Sequence, residues 1–456
     1  MPGSQSPDNI SPRLHRIAEV ARRKPRVVFR SLAHLIDVDL LRVAFRRTRK
    51  SGAVGVDGVT ADTYVKDLEA NLASLATRLK SGEYRAPPVK RVHIPKGDGK
   101  TRPIGIPAFE DKVLQRAVTM ILNAIYEQDF HDFSHGFRPQ RSAHQALAAL
   151  RKTIVSLRGG WVLEVDIKAF FDTLIHSHLR EFLAKRVVDG VLRRVIDKWL
   201  KAGVLEDGKL SFPETGTPQG GVISPLLANI YLHEVLDDWF VTVVKPRLAG
   251  AAEIVRFADD FVIVFQLEKD ARKVFEVLPL RFAKFGLTLH PEKTRLIPFR
   301  KPPPARPGKQ VSDGGARPET FDLLGFTLYW ARSRQGYWVV FRKTASTRFA
   351  RGVRRIQEWC RLNRHLPVYR QHKELSSKLR GHYNYYGVIG NSQAINNFRN
   401  QTILTWKFWL NRRAQRRTMT WSCFSKIKRA YPLPPARLSK RALTYEPTRI
   451  TRSRMR

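Results

Sequence analysis

The sequence predicts an α+β fold, in which a region of mixed strands and helices precedes a helical, strongly basic region. Two observations carry this prediction. In the first two thirds, short apolar runs end at turns or carboxylates, a pattern typical of buried strands. From Arg342 onward, apolar residues recur at helical spacings, and there are 28 Lys and Arg but only three acidic residues.

Helices are predicted where apolar residues recur at spacings of three and four. In the first two thirds these stretches are 32–46, a helix opened by Thr60 that aligns Leu68, Leu72, Leu75 and Leu79, and 110–126. In the last third, one helix aligns Phe349, Val353, Ile356 and Cys360, and a second runs from Ile395 to Leu410.

Strands are predicted as apolar runs bounded by turn residues. They cover 89–95, 102–106, 162–165, 254–257 and 261–265. The first two are expected to form a hairpin around Gly97-Asp98-Gly99. The last two flank Asp259-Asp260, which the pattern places in a tight turn.

The charge predicts the kind of partner. There are 82 Lys and Arg against 40 Asp and Glu, a net charge of +42. Such self-repulsion favours a polyanionic partner, with nucleic acid as the leading candidate. Two cysteines exclude a disulfide framework or a cysteine-rich metal site, and no apolar run reaches the roughly 18 residues that span a bilayer. We expect a soluble, nucleic-acid-associated protein of a reducing compartment, such as the bacterial cytoplasm, with no membrane partner.

Carboxylates follow two of the predicted strands. Asp166 directly follows the strand at 162–165, and Asp259-Asp260 lie between the strands at 254–257 and 261–265. Like charges at one turn repel each other unless a cation neutralises them. Asp-Asp is also ordinary turn chemistry, so the pair alone is ambiguous. Oxygen ligands suit Mg²⁺, and two such ions can stabilise the attacking and leaving oxygens of phosphoryl transfer. Together with the charge, the three aspartates predict Mg²⁺-dependent chemistry on nucleic acid.

These residues lie within motifs that resemble those of group II intron reverse transcriptases (maturases). In chain order the motifs are Arg102 to Pro107 (RPIGIP), Ser134 to Pro139 (SHGFRP), Asp166 to Asp172 (DIKAFFD), Thr217 to Asn229 (TPQGGVISPLLAN), Phe257 to Asp260 (FADD), His290 to Thr294 (HPEKT) and Leu324 to Phe326 (LGF). The ordered set covers nearly the whole chain. The resemblance implies a right-hand polymerase fold of fingers, palm and thumb, followed by a maturase domain that binds intron RNA.

Domain boundaries follow from the resemblance and from composition. We expect a basic flexible N-terminus at 1–30, fingers and palm at 31–335, a thumb and maturase domain at 336–440 and a basic tail at 441–456. Many relatives carry a further endonuclease domain, which we expect to be absent here.

The resemblance also assigns roles, residue by residue. It implies catalytic roles for Asp166, Asp259, Asp260 and Lys293, of which Lys293 would protonate pyrophosphate. It implies metal binding by Asp166, Asp259, the Ile167 carbonyl and, less directly, Asp260. The nucleotide would contact Lys96, Arg102, Ile167, Phe171, Gln219 and Gly220, with Phe171 blocking a ribose 2′-hydroxyl. The primer end would be supported by Leu324, Gly325 and Phe326.

The basic region suggests RNA binding, because cations hold phosphates and exposed rings stack on bases. The candidate cations are Arg412, Arg413, Arg416, Arg417, Lys426, Lys428 and Arg429. Trp406 and Trp409 are instead expected in the core of a helical bundle.

The expected enzyme is an RNA-directed DNA polymerase that uses two Mg²⁺ ions. Its expected partners are group II intron RNA, an RNA template with DNA primer, dNTPs and a DNA target. Three alternatives stay open at this point: a non-catalytic RNA-splicing chaperone, a viral-type RNA polymerase, and a relative recruited to host defence or spacer acquisition.

Overall fold

The structure is a computed structural model that describes residues 12–95, 101–158, 160–212, 214–217, 219–302, 319–333, 335–413, 419–439 and 444. The chain forms two compact units. The first comprises Met1–Ser142, Leu163–Ile263 and Lys269–Arg295; the second comprises Ala143–Val162, Val264–Glu268 and Leu296–Arg456. Among the described residues, no helix has both the length and the apolarity that a membrane span requires.

Helices dominate the described residues. They are α1 Pro12–Arg23, α2 Val38–Arg47, α3 Ala61–Tyr64, α4 Leu68–Ser81, α5 Phe109–Tyr126, α6 Ala143–Ser156, α7 Phe170–Thr173, α8 His176–Ala184, α9 Gly190–Leu200, α10 Ser224–Leu232, α11 Glu268–Ala283, α12 Ser346–Leu362, α13 Val368–Tyr386, α14 Ser392–Leu410 and α15 Trp421–Ala430. Two π-helical turns, His233–Asp237 and Phe240–Val244, follow α10. Short 3-10 turns cover Ala33–Leu35, Val65–Asp67 and Lys245–Arg247.

The strands form three sheets. They are β1 Val89–Pro95, β2 Thr101–Ile106, β3 Trp161–Val165, β4 Val204–Glu206, β5 Lys209–Ser211, β6 Ala252–Phe257, β7 Asp260–Phe265, β8 Arg295–Pro298, β9 Phe321–Leu323, β10 Phe326–Arg332 and β11 Trp338–Thr344. The sheet orders are β2-β1-β4-β5, β6-β7-β3-β8 and β11-β10-β9. The order β6-β7-β3 makes the strands that carry Asp259 and Asp166 neighbours.

In the first unit, β1 and β2 form the predicted antiparallel pair, with Ile94 opposite Arg102. Their expected turn at Gly97-Asp98-Gly99 lies outside the described residues. Helix α5, buried over most of its length, packs against α1 and α2. Helix α5 begins three residues after β2 ends.

The second unit combines the sheet β11-β10-β9 with helices α12–α15. The helical core contains Ile356, Leu379, Phe398 and Trp406, all buried. Trp406 is 1% exposed and donates its indole N–H to Gln371 Oε1 at 2.8 Å. Trp409 packs partly buried against the same core. The prediction that both tryptophans belong to a helical core is therefore confirmed.

Two features differ from the sequence expectations. The first 30 residues were expected to be flexible, but Pro12–Arg23 form a helix whose Leu14 and Ala21 are buried. The helix expected from residue 32 begins at Val38, because the Asp37 side chain accepts a hydrogen bond from the Leu40 N–H and caps the helix there. The helix predicted from Ile395 to Leu410 is α14, and it ends at Leu410 as predicted.

Candidate active site

Asp259 lies in the tight turn between β6 and β7. Ala258 adopts a left-handed backbone conformation, with φ of 60°, and Asp260 begins β7. A non-glycine residue in this conformation is uncommon and indicates a turn held by its surroundings. Asp259 and Asp260 are both half-buried. The predicted strand–turn–strand arrangement is confirmed by these two strands.

A buried ion pair supports this turn from beneath. Arg256 and Asp237 have fully buried side chains and share hydrogen bonds of 2.8 and 2.5 Å. The Arg256 guanidinium also donates to the Ala258 carbonyl oxygen at 3.0 Å, and to Asn229 Oδ1 and Ser134 Oγ. A buried charge is stable only when paired and hydrogen-bonded, and this network meets that requirement. It therefore holds the backbone immediately before Asp259.

Sequence reasoning missed this pair. The available signal was Arg256 within an otherwise apolar strand, where a charged side chain needs a buried partner. The partner, Asp237, is 19 residues away in sequence and follows no motif that marks it.

Gly136 lets the segment after α5 approach the same turn. A Cβ at this position would lie 2.1 Å from the Ala258 backbone nitrogen, far inside van der Waals contact. The Asn229 side-chain amide donates to the Gly136 carbonyl oxygen at 2.8 Å. His135 N–H donates to the Arg256 carbonyl oxygen at 2.9 Å. The motif Ser134 to Pro139 thus packs against the strand that leads to Asp259.

Asp166 stands directly after β3. Its carbonyl oxygen accepts the His290 N–H at 2.8 Å, and Ile167 pairs with Leu289 in an isolated β-bridge. Lys293 Nζ lies 2.9 Å from Asp166 Oδ2, with the lysine side chain largely exposed. The motif that begins at His290 is therefore bonded to the end of the strand that carries Asp166.

The electrostatics of Asp259 fit a cation site. Burial raises the pKa of Asp259, and the negative charge of Asp166 raises it further. The charges of Arg102 and Arg256, together with a backbone hydrogen bond, act in the opposite direction. The two carboxylates therefore feel each other's charge, and a divalent cation would relieve that repulsion. Carboxylate and carbonyl oxygens are the donors that Mg²⁺ prefers, so Asp166, Asp259 and the Ile167 carbonyl are residues that could hold such an ion.

The two adjacent phenylalanines after Asp166 differ in burial. Phe170 is 2% exposed, whereas Phe171 is half-buried. Ala169, just before them, has φ of 49° and forms the N-cap of α7. Gly216 packs against the backbone of Phe171, where a Cβ would lie 2.8 Å from the Phe171 carbonyl oxygen.

The predicted nucleotide residues share the first unit. The Gly105 N–H donates to the Gln219 carbonyl oxygen at 2.7 Å, which fastens this loop to β2. Gly220 has φ of +123°, and a Cβ there would lie 2.5 Å from the Gly105 carbonyl oxygen. Arg102, also on β2, is exposed and close enough to act electrostatically on Asp259. Lys96 lies outside the described residues.

The predicted primer-grip residues lie in the second unit, in the turn from β9 to β10. Leu324 and Gly325 have φ of 51° and 79°, the conformation of a tight two-residue hairpin turn. Tyr385 donates its hydroxyl to the Leu324 carbonyl oxygen at 2.8 Å. Phe326 is fully buried and stacks on the Tyr385 ring. The turn is thus held by α13.

The proposed RNA-binding cations have different surroundings. Arg412 lies over the exposed Phe408 ring at 4.3 Å. Arg413 donates to the carbonyl oxygens of Arg364 and Leu366, so part of its guanidinium is used within the fold. Lys426, Lys428 and Arg429 are exposed on α15. Arg416 and Arg417 lie outside the described residues. Arg412 and Arg413 follow the end of α14 in a turn.

Comparison with known proteins identifies the family. A model for the family "Reverse transcriptase (RNA-dependent DNA polymerase)" matches residues 94–328, more than half of the chain. The protein YkfC of Escherichia coli K12 is 33% identical over 367 residues, which cover 72% of this chain and 90% of YkfC. The chain therefore belongs to the reverse transcriptase family, and its expected right-hand polymerase fold with a helical region is confirmed.

Its relatives include proteins encoded by group II introns. The group II intron-encoded protein LtrA of Lactococcus lactis subsp. cremoris is 40% identical over 236 residues, which cover 51% of this chain but only 39% of LtrA. An uncharacterized 91 kDa protein in a cob intron of Schizosaccharomyces pombe is 33% identical over 258 residues, 56% of this chain and 31% of that protein. The resemblance to group II intron reverse transcriptases and maturases is thus confirmed.

A telomerase chain from Candida albicans is also similar in structure, with a TM-score of 0.42 and 14% identity, covering 76% of this chain and 64% of that one. This likeness is too weak to add to the family assignment.

Proposed function

We propose that this chain copies RNA into DNA at a site formed by Asp166 and Asp259, and that it binds a group II intron RNA whose splicing and mobility it assists. The observation that carries the polymerase site is the placement of these two carboxylates beside neighbouring strands, where the charge of Asp166 helps to raise the pKa of Asp259. A reverse transcriptase needs such a pair where nucleotidyl transfer takes place.

Two Mg²⁺ ions held by Asp166, Asp259 and the Ile167 carbonyl would activate the primer hydroxyl and stabilise the charge on the transferred phosphate. Asp260 would add negative charge next to them. The buried Arg256–Asp237 pair positions Asp259 through the Ala258 carbonyl oxygen, which keeps this carboxylate in place while substrates bind.

The surrounding residues would select and hold the nucleotide. Arg102 would bind the triphosphate, for which its forked guanidinium is suited, and Lys96 would assist it from the same hairpin. Gln219 and Gly220 would line the pocket beside β2. The half-buried Phe171 would contact the sugar and exclude a 2′-hydroxyl by collision.

Lys293 would donate a proton to the departing pyrophosphate. Its ammonium already lies 2.9 Å from Asp166 Oδ2, so it has only a short distance to move toward a phosphate bound there.

In the second unit, Leu324, Gly325 and Phe326 would support the primer end, and the exposed cations of α15 would hold intron RNA. The partners proposed are therefore intron RNA, an RNA template with DNA primer, dNTPs and a DNA target. The names of the group II intron-encoded relatives support the intron as the RNA. The proposed location is the bacterial cytoplasm.

Primer extension with the full chain tests the polymerase site. Asp259→Ala should reduce DNA synthesis on an RNA template to background in Mg²⁺, while intron RNA binding stays near that of the wild type. Glu292→Ala is the matched control, because it removes an exposed carboxylate beside Lys293. Synthesis by Asp259→Ala at the control's rate would exclude Asp259 from the site. Intact RNA affinity without synthesis by the wild type would instead favour a splicing chaperone.

A further inference from the structure

Three side chains of the kinds that bind transition metals converge in the first unit, outside the polymerase site. His131 follows α5, whereas His233 begins the π-helical turn after α10 and Asp238 directly follows that turn. Each offers one ligand atom, and these atoms all lie within 4.8 Å of one another. Among the described residues, no other set of three His, Cys, Asp or Glu side chains meets this condition.

Both imidazoles approach the same carboxylate. His131 Nε2 lies 2.8 Å from Asp238 Oδ1, and His233 Nε2 lies 3.7 Å from Asp238 Oδ2. Aromatic rings surround the pair: Phe133 stacks on His131 and Phe130 meets the edge of His233. The two imidazoles and the carboxylate therefore meet in one small cluster, with an aromatic ring packed against each histidine.

The π-helical turn is what aligns two of the ligands. The Asp238 N–H donates to the His233 carbonyl oxygen, the i to i+5 hydrogen bond of a π-turn. In an α-helix, residues five apart diverge by about 140° around the axis, because each residue turns the chain by about 100°. In the wider π-turn, the residue five positions further on lies on nearly the same face of the helix as the first residue. Such turns are rare and occur frequently at functional sites.

An ordinary ion pair between His131 and Asp238 leaves His233 unexplained. The His233 side chain is 9% exposed, and its Nδ1 has no hydrogen-bond partner among the described residues. Its Nε2 contact of 3.7 Å is too long for a hydrogen bond. Buried polar groups normally have partners, and a bound ion would give Nε2 the close partner that the protein does not supply.

We propose that His131, His233 and Asp238 bind a zinc ion. Two imidazole nitrogens and one carboxylate oxygen form a typical three-ligand zinc set, with a water in the fourth position. Imidazole nitrogen also separates this site chemically from the polymerase site, whose oxygen donors favour Mg²⁺.

The metal would stabilise the turn that carries Asp259. From His131 the chain runs to Phe133, whose carbonyl oxygen accepts the Arg256 N–H at 2.9 Å. At the other side of the site, Asp238 directly follows Asp237, the buried partner of Arg256. Zinc would therefore link the segment that contains Phe133 to the segment that contains Asp237, both of which contact Arg256. Its role would be to position Asp259, without taking part in the reaction itself.

Metal analysis of the full chain tests this proposal without relying on polymerase activity. After treatment with a chelator and equilibration with Zn²⁺ alone, the wild type should retain one zinc per chain. His131→Gln and His233→Gln should weaken Zn²⁺ binding by at least about 100-fold in competition with a fluorescent chelator, since each removes a direct ligand. His178→Gln is the matched control, because His178 contacts one carboxylate, Glu181, at 3.4 Å.

Two further measurements keep the test decisive. X-ray absorption of the zinc-loaded wild type should show only nitrogen and oxygen ligands with two imidazoles, a result that does not depend on how the variants fold. Asp259→Ala should retain the zinc although it loses DNA synthesis, which separates this proposal from that of the polymerase site. Unchanged zinc affinity in His233→Gln, or a zinc without imidazole ligands, would overturn the proposal.

Discussion

The turn that carries Asp259 and the helical core around Trp406 are stabilised by different means. Beneath Asp259, the buried groups are charged, and they are joined by directional hydrogen bonds from Arg256. Around Trp406, the buried groups are mainly aromatic and aliphatic, and the cations of α15 stay in solvent. A site that must hold one carboxylate in place needs directional contacts, whereas a surface that binds phosphates needs only charge on a stable support.

This contrast predicts how each region responds to substitution. Loss of one partner in a buried network leaves an uncompensated charge, so single changes should be severe. Loss of one exposed cation removes a small share of a distributed attraction, so its effect should be modest and dependent on salt.

The largest expected effect follows from Asp237→Ala. This change leaves Arg256 buried without its carboxylate and should cost about 3–5 kcal/mol of stability, together with most DNA synthesis. Thermal unfolding and primer extension measure the two losses. Glu253→Ala is the control, because it breaks an exposed pair with Lys245 that should contribute less than about 1 kcal/mol. Equal effects of the two changes would remove the distinction between buried and exposed pairs.

The second-largest expected effect is a dependence of stability on pH, caused by Asp111. Asp111 is buried beneath Tyr84, whose hydroxyl donates to it at 2.6 Å. Burial raises the pKa of Asp111 to about 7. The folded state therefore holds a proton that the unfolded state releases near pH 4, and stability should fall as pH rises from about 4 to about 7, by at most about 1.4 kcal/mol per pH unit.

Asp111→Asn should flatten this part of the stability profile, since the amide does not titrate. Unfolding midpoints measured from pH 4.5 to 7.5 compare the two proteins. A wild-type profile that runs parallel to that of Asp111→Asn would contradict the prediction.

A smaller effect is expected from Phe171→Ala. If the half-buried ring collides with a 2′-hydroxyl, its removal should raise the use of ribonucleotides relative to deoxyribonucleotides by roughly 10- to 100-fold. Single-nucleotide incorporation on one primer–template measures the ratio. Phe171→Tyr should keep the preference, because it retains the ring. An unchanged ratio in Phe171→Ala would assign the ring to the core.

The smallest effect per residue is expected on α15. Replacing Lys426, Lys428 and Arg429 by Gln should weaken intron RNA binding and reduce the salt slope by about 0.7–0.9 for each phosphate that is no longer neutralised. Primer extension on a short template should persist. A variant that exchanges Lys and Arg at these three positions keeps the charge and should keep the slope. If the variant with three Gln substitutions also keeps the wild-type salt slope, α15 presents a solvated surface and RNA binds elsewhere.

Much of the site was predictable because its signals are local. The strands at 162–165 and 254–265 are apolar runs that end at carboxylates, and the structure contains both. Helices α4, α5, α12 and α14 follow from apolar spacing alone. Helix α1 was missed because its burial depends on α5, about 90 residues further along the chain, and its own composition is mostly polar and basic.

The sequence by itself determined the family motifs, the two carboxylate-bearing strands and the concentration of positive charge after residue 342, because each is written in neighbouring residues. Only the tertiary structure decided that Arg256 pairs with Asp237, and that His131 meets His233 and Asp238. The physical reason is that a buried polar group takes its partner from whatever the fold brings within about 3 Å, and a distance of that kind has no period or spacing along the chain.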